Sequence, residues 1–346
     1  MLKTLAALSL AVLLASCGGG NKSGNTDSTA TSSNGLTGAG STFINPIMTN
    51  WASEYQKETG TAVNYQAVGS GAGINNLIDH TVDFAGSDAP MNQGELDRAK
   101  APVVHVPAVI GAVCVAYNIN GVTSGLKLSG PVIADIFMGK IQYWDDAKIK
   151  ALNAGQKLPH EKIFTAHRSD GSGTTAIFTD YLSKVSDDWK SKIGAGKTVN
   201  WPEGGIGGKG NAGVAEVLKQ HQNSIGYVEL AYAEQNKISY ASVQNSAGNF
   251  VAPSVESAAA AAEAFLMPQN MTSMVTNTSA QQGYPITGFS WIIFYKDGPK
   301  ADQVKKFISW ITTKGQNDCK ALYYAPIPQS VQSAVAGELG GSTAAK

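Results

Sequence analysis

The chain has 346 residues, of which 43% are apolar and 8% aromatic, enough for two domains with a buried core and too much for a disordered chain. With 26 basic and 26 acidic residues the net charge is zero, which excludes a global basic field for nucleic acid or an anionic membrane, so an anion would have to be caught locally. Glycine stands at 38 residues, about 11% against a usual ~7%, and points to tight turns and close backbone approach.

The first elements in chain order concern export. Lys3 precedes an apolar run over 5–15, too short for a bilayer that needs roughly 20 residues, and small residues lead to Cys17. This resembles a bacterial lipoprotein signal, with 1–16 removed and Cys17 lipid-modified. An ordinary secretory signal with an incidental cysteine stays open, and both export the chain. Residues 18–35, rich in Gly, Asn, Ser and Thr without apolar periodicity, read as a flexible tether.

From Leu36 onward, β-branched runs alternate with helical patterns, which predicts α/β layers. Strands are expected over 63–68, 82–86, 103–118, 163–167, 225–229 and 286–295. Helices are expected over 43–58, 71–79, 131–138, 173–185, 212–221, 258–266 and 302–312. The first helix repeats Ile44, Ile47, Trp51 and Tyr55, has Pro46 in its first turn and stops at Gly60. The apolar stretches around Val113 and Ile292 are candidates for strands crossing between lobes.

Four segments rich in Gly, Ser and Thr stand where a strand ends or a helix begins: 37–43, 69–73, 87–90 and 168–174. Unpaired N–H groups and about half a positive charge at a helix N-terminus let such a loop wrap an oxyanion. Each segment alone is equally a helix cap or a plain turn. The fourth adds Arg168, one of two arginines in the chain, whose planar fork suits bidentate oxyanion contact with Asp170 beside it. The other, Arg98, sits in a polar helical stretch.

Competing chemistries find little support. Residues 203–210 look like a nucleotide-phosphate loop, but Glu203 replaces the first glycine and Gly210 the hydroxyl residue after lysine, so they read as a glycine-rich surface or hinge-side loop. Ser70 and Ser172 lack the glycines of a nucleophile elbow. The five histidines show no helical zinc spacing, and no metal or cofactor is expected. Cys114 and Cys319 either pair or stay as free buried thiols; both remain open.

The motifs Leu-Thr-Gly-Ala-Gly-Ser-Thr-Phe at 36–43, Val-Asn-Tyr-Gln-Ala-Val-Gly-Ser-Gly at 63–71, Thr-Val-Asp-Phe-Ala-Gly-Ser-Asp-Ala-Pro at 81–90, Gly-Lys-Ile-Gln-Tyr-Trp-Asp-Asp at 139–146 and Arg-Ser-Asp-Gly-Ser-Gly-Thr at 168–174 closely resemble the periplasmic phosphate-binding proteins of high-affinity phosphate ABC transporters. Segments 201–211 and 225–229 extend the likeness. The resemblance implies a type II-like two-lobed binding protein, each lobe a sheet flanked by helices and two crossing strands acting as hinge. Lobe one would hold 36–118 and 288–346, and lobe two 119–287. It places phosphate contacts on Thr42, Phe43, Ser70, Asp88, Arg168, Ser172, Gly173 and Thr174, with Asp170 orienting Arg168. It also implies a non-enzymatic, monomeric receptor that is lipid-anchored in the periplasm and delivers phosphate to inner-membrane permease subunits. An exported phosphate-ester hydrolase and a surface phosphate-binding scaffold are the alternatives. Ala72 and His167 depart from the family pattern beside the site. An anionic Asp88 in an anion site is unfavourable unless it accepts a proton from the ligand, which phosphate carries near neutral pH and sulfate does not.

Overall fold

The structure is a computed structural model and describes residues 35–265 and 271–340. The signal segment, Cys17 and the tether up to residue 34 lie outside the described residues, as does the last residue of the helix expected over 258–266.

The first part of the chain forms β1 (Leu36–Gly40), α1 (Asn45–Thr59), β2 (Val63–Ala67), α2 (Ser70–Ile78), β3 (Phe84–Ser87), α3 (Gln93–Ala99) and β4 (Val103–Asn118). The second comprises β5 (Lys127–Leu128), α4 (Gly130–Phe137), α5 (Ala147–Leu152), β6 (Phe164–Arg168), α6 (Gly173–Val185), α7 (Asp187–Lys192), β7 (Ile206–Gly208), α8 (Gly210–Gln220), β8 (Ser224–Glu229) and α9 (Leu230–Asn236). It closes with β9 (Ser239–Tyr240), β10 (Ser242–Gln244), β11 (Phe250–Val251) and α10 (Val255–Glu263). The chain then returns through β12 (Thr287–Tyr295), α11 (Ala301–Ile311) and α12 (Gln329–Glu338).

One mixed sheet runs in the order β2-β1-β3-β12-β4-β8-β6-β7, with β9 also on β4. β4 joins its halves. Residues 103–112 pair antiparallel with β12, and 113–118 pair antiparallel with β8. Both faces of β4 are covered, so its sixteen residues are almost continuously apolar rather than alternating. Pro107 lacks an N–H for the ladder, and the β4–β12 register breaks there. Ser290 pairs with Val109 and Trp291 with Pro107, leaving Ala108 out of register with its carbonyl bound by Gln316 Nε2 at 2.9 Å.

α1 buries Ile47, Met48, Trp51 and Tyr55 and ends at Gly60, whose φ of 74° is left-handed. Two expectations fail locally. Residues 37–40, read as part of a loop, belong to β1, held between β2 and β3; a side chain at Gly38 would run into the Phe84 ring at 2.2 Å, so this position takes glycine. Of residues 203–210, the exposed turn at Glu203 and Gly204 is the surface loop expected, but the rest is not. Segment 206–208 is the edge strand β7, and a Cβ at Gly208 would meet the Gly213 backbone at 2.5 Å, the close approach that seats α8 on it. Cys114 and Cys319 are both free and buried. Among the described residues no helix is long and apolar enough to cross a membrane.

Candidate functional site

The four segments 37–43, 69–73, 87–90 and 168–174 converge where the two halves of the sheet meet. Gly40 ends β1 at a φ of 144°, and any Cβ there would lie 2.0 Å from the Gly86 carbonyl, so only glycine lets the ends of β1 and β3 close up. Just beyond it, Ser41 Oγ accepts from Phe43 N–H at 2.9 Å and donates to Asp88 Oδ2 at 2.6 Å. Ser70 opens α2, and its Oγ accepts from Asp88 N–H at 3.3 Å and from Gly173 N–H at 3.1 Å. The second of these bonds crosses between the halves. Gly71 N–H to Gly171 O at 2.9 Å crosses there too.

Arg168 ends β6 with its side chain sealed from solvent. Nε and Nη2 donate to Asp170 at 2.8 and 2.5 Å, and Nη1 reaches Thr174 Oγ1 at 3.3 Å. The expected orientation of the guanidinium by Asp170 is thus a two-bond fork, and Gly210 N–H adds a third donor to Asp170 at 3.0 Å. Ser172 caps α6 by accepting from Thr175 N–H at 3.1 Å, so the cap alternative holds for that hydroxyl. Gly173 and Thr174 form the first turn of α6. Thr42, Ser70, Asp88, Arg168, Ser172 and Thr174 are all buried.

Burial raises the Asp88 carboxyl to about 6, against the lowering effect of bonds from Ser290 and Ser41, the charge of Arg168 and a bond from Ser70. Asp170 goes the other way. Burial pushes it up, but the bonds and charge of Arg168 more than offset this and hold it below the usual carboxylate range. Burial lowers His167, which stacks on Trp201 with ring centroids 4.9 Å apart, so this departure from the family pattern favours a neutral aromatic beside Arg168.

Several participants escaped the sequence reading. Asn211, at the start of α8, donates to Thr42 Oγ1 from its backbone at 3.1 Å and its side chain at 3.0 Å, and reaches Thr174 at 3.2 Å. Tyr232 donates to the Thr42 carbonyl at 2.6 Å. Glu229 is fully buried with Oε1 unpartnered, and burial pushes its carboxyl well above the usual range. Ser290 donates to Asp88 Oδ1. Ser290 had a sequence signal, a lone serine in the apolar run Phe289 to Phe294; Asn211 and Glu229 had only their places at the ends of family-like motifs. Arg98 instead bonds Asn75 at 2.8 Å. Among the described residues no group of three or more His, Cys, Asp or Glu could hold a metal ion.

Two α/β halves sharing one long strand, with a sealed polar cluster at their seam, define a two-lobed ligand-binding protein. The model of the PBP superfamily domain matches residues 25–314. The phosphate-binding protein PstS of Haemophilus influenzae is 46% identical over 308 residues, covering 87% of this chain and 91% of that one. Its counterpart in Xylella fastidiosa is 45% identical over 302 residues, covering 86% and 82%. In fold, the phosphate-binding protein of Stenotrophomonas maltophilia matches with a TM-score of 0.65 at 19% identity, over 88% of this chain and 93% of that one. The chain belongs to the PstS family of phosphate-binding proteins, as its motifs led us to expect.

Proposed function

We propose that the protein binds inorganic phosphate between its lobes and hands it to the permease of a phosphate ABC transporter. The observation that carries this is the convergence, out of solvent, of an Asp-held arginine, serine and threonine hydroxyls, helix N-terminal N–H groups and one buried carboxylate. A desolvated oxyanion needs a donor for nearly every lone pair, and Asp88 suits an anion that still carries a proton. Thr42, Phe43, Ser70 and Asp88 contact phosphate from lobe one (36–118 and 288–346), and Arg168, Ser172, Gly173 and Thr174 from lobe two (119–287). The hinge lies in β4, where its partner strand changes, and in the entry to β12. The protein acts as a monomeric receptor without catalysis. Calorimetry on ligand-stripped protein tests this: phosphate should bind and sulfate should not. Turnover of a chromogenic phosphate ester, or sulfate bound equally well, would replace the reading.

Arg168→Lys keeps the charge but cannot hold Asp170 and Thr174 together. Hydrogen bonds to charged groups contribute roughly 1.5–3 kcal/mol, so affinity should fall by about one to two decades. Arg98→Lys should change little, and equal effects of the two would remove Arg168 from the site.

Localisation follows from the leader. Export with lipid modification of Cys17 holds the protein at a membrane facing the periplasm, since each buried acyl CH₂ contributes about 0.8 kcal/mol. Cys17→Ser should release the protein or trap its precursor. Absence of fatty-acid label on the unmutated protein, with soluble fractionation, removes the anchor.

A further inference from the structure

The two oxygens of Asp88 are held from different directions. Oδ2 meets Ser41 at 2.6 Å and Ser70 at 3.5 Å, both in segments that line the seam. Oδ1 accepts from Ser290 Oγ, which comes from within β12. Ser290 is fully buried between Phe289 and Trp291 in an otherwise apolar stretch, where a hydroxyl without a partner would be costly. The β4–β12 register irregularity lies beside it. The register breaks at the step from Ser290 to Trp291, and Trp291 pairs on its other side with Ser87, the neighbour of Asp88. The extra residue of this irregularity, Ala108, lies on β4, while on β12 the Ser290 hydroxyl meets the carboxylate from the sheet.

We infer that Ser290 is a positioning residue for anion selectivity: its hydroxyl fixes Asp88 as an ionised acceptor, so that a bound anion has to supply the proton between them. This rests on the phosphate reading above. Groups of either charge face Asp88 from several elements: Arg168 at the end of β6, Glu229 at the end of β8, and the phenols of Tyr65 on β2, Tyr232 on α9 and Tyr324 near the C-terminus. Burial favours the neutral forms of Glu229 and the phenols, which leaves Arg168 as the opposing charge and the serines as the neutral donors. Without Ser290, Oδ1 stays buried with its hydroxyl donor gone, and Asp88 should hold a proton more tightly.

The test is calorimetric titration of phosphate and of sulfate between about pH 5 and pH 8, using unmutated protein, Ser290→Ala and Ser290→Cys. The unmutated protein should lose its preference for phosphate as pH falls through about 6. Ser290→Ala should lose it about one unit higher, with selectivity between the two transitions lowered by about tenfold. Ser290→Cys, close in size but a weaker donor, should fall between. If Ser290→Ala folds and keeps the unmutated profile, or weakens both anions equally without moving the transition, the inference is overturned. Should Ser290→Ala fail to fold, an unmoved transition in Ser290→Cys overturns it as well. An unmutated protein that binds no phosphate overturns the functional reading instead.

Discussion

Gly173→Ala should lower phosphate affinity by about two decades while leaving the ligand-free fold about as stable as before. Gly173 opens α6 directly after its Ser172 cap with ordinary helical backbone, so alanine there adds no backbone strain. Its Cβ, however, would sit 2.6 Å from the Cβ, backbone N and Oδ2 of Asp88, on the facing half of the molecule. Backbone and a buried carboxylate cannot swing aside, and overpacking of this kind costs typically 1–3 kcal/mol. The substitution therefore acts on closure. It also displaces the Gly173 N–H from Ser70, one of the bonds joining the two halves. Calorimetry should show the lost affinity and scattering should show no phosphate-induced contraction, whereas the unmutated protein should contract. Thermal melting without ligand should change little. Near-normal affinity in Gly173→Ala would mean that phosphate does not sit between Asp88 and the start of α6.

Asp88→Asn should bring sulfate binding up by about two decades while phosphate changes only moderately. The amide keeps the shape of the carboxylate, removes its charge and adds a donor, so the repulsion of a fully deprotonated anion disappears. Arsenate, which keeps a proton, should follow phosphate. The pH dependence follows from the direction of the Asp88 shift. Because burial raises this carboxyl to about 6, it is neutral and able to donate below that pH, and an acceptor alone above it. The unmutated protein should thus begin to admit sulfate as pH falls through about 6, and Asp88→Asn should show no such transition. The shift also sets a sign for folding. A carboxyl whose folded value lies above its ordinary value stabilises the fold below that ordinary value, and the contribution is lost as pH rises through about 6. Sulfate still excluded from Asp88→Asn at neutral pH would place the discrimination elsewhere.

Much of the molecule follows from local sequence. Pro46, the Ile47-Trp51-Tyr55 spacing and Gly60 specify α1 within one residue of its observed end, since caps and periodicity act over a few residues. The nearly continuous apolar run over 103–118 gives β4 its observed bounds, because a strand covered on both faces cannot alternate. Arg168 and Asp170 were legible for the same reason, being two residues apart at the end of a strand. Other features were decided only by tertiary contact. β1 has glycine and alanine at three of its five positions, and pairing on both sides makes it a strand despite weak propensity. β7 likewise exists because Arg168 and its neighbours offer an edge to pair with. Ser290 meets Asp88 across 202 residues, and Asn211 meets Thr42 across 169. Local sequence specifies where chain segments turn and what side chains they carry, but which hydroxyl reaches which partner depends on how distant strands and the two halves pack together, which no local stretch sets.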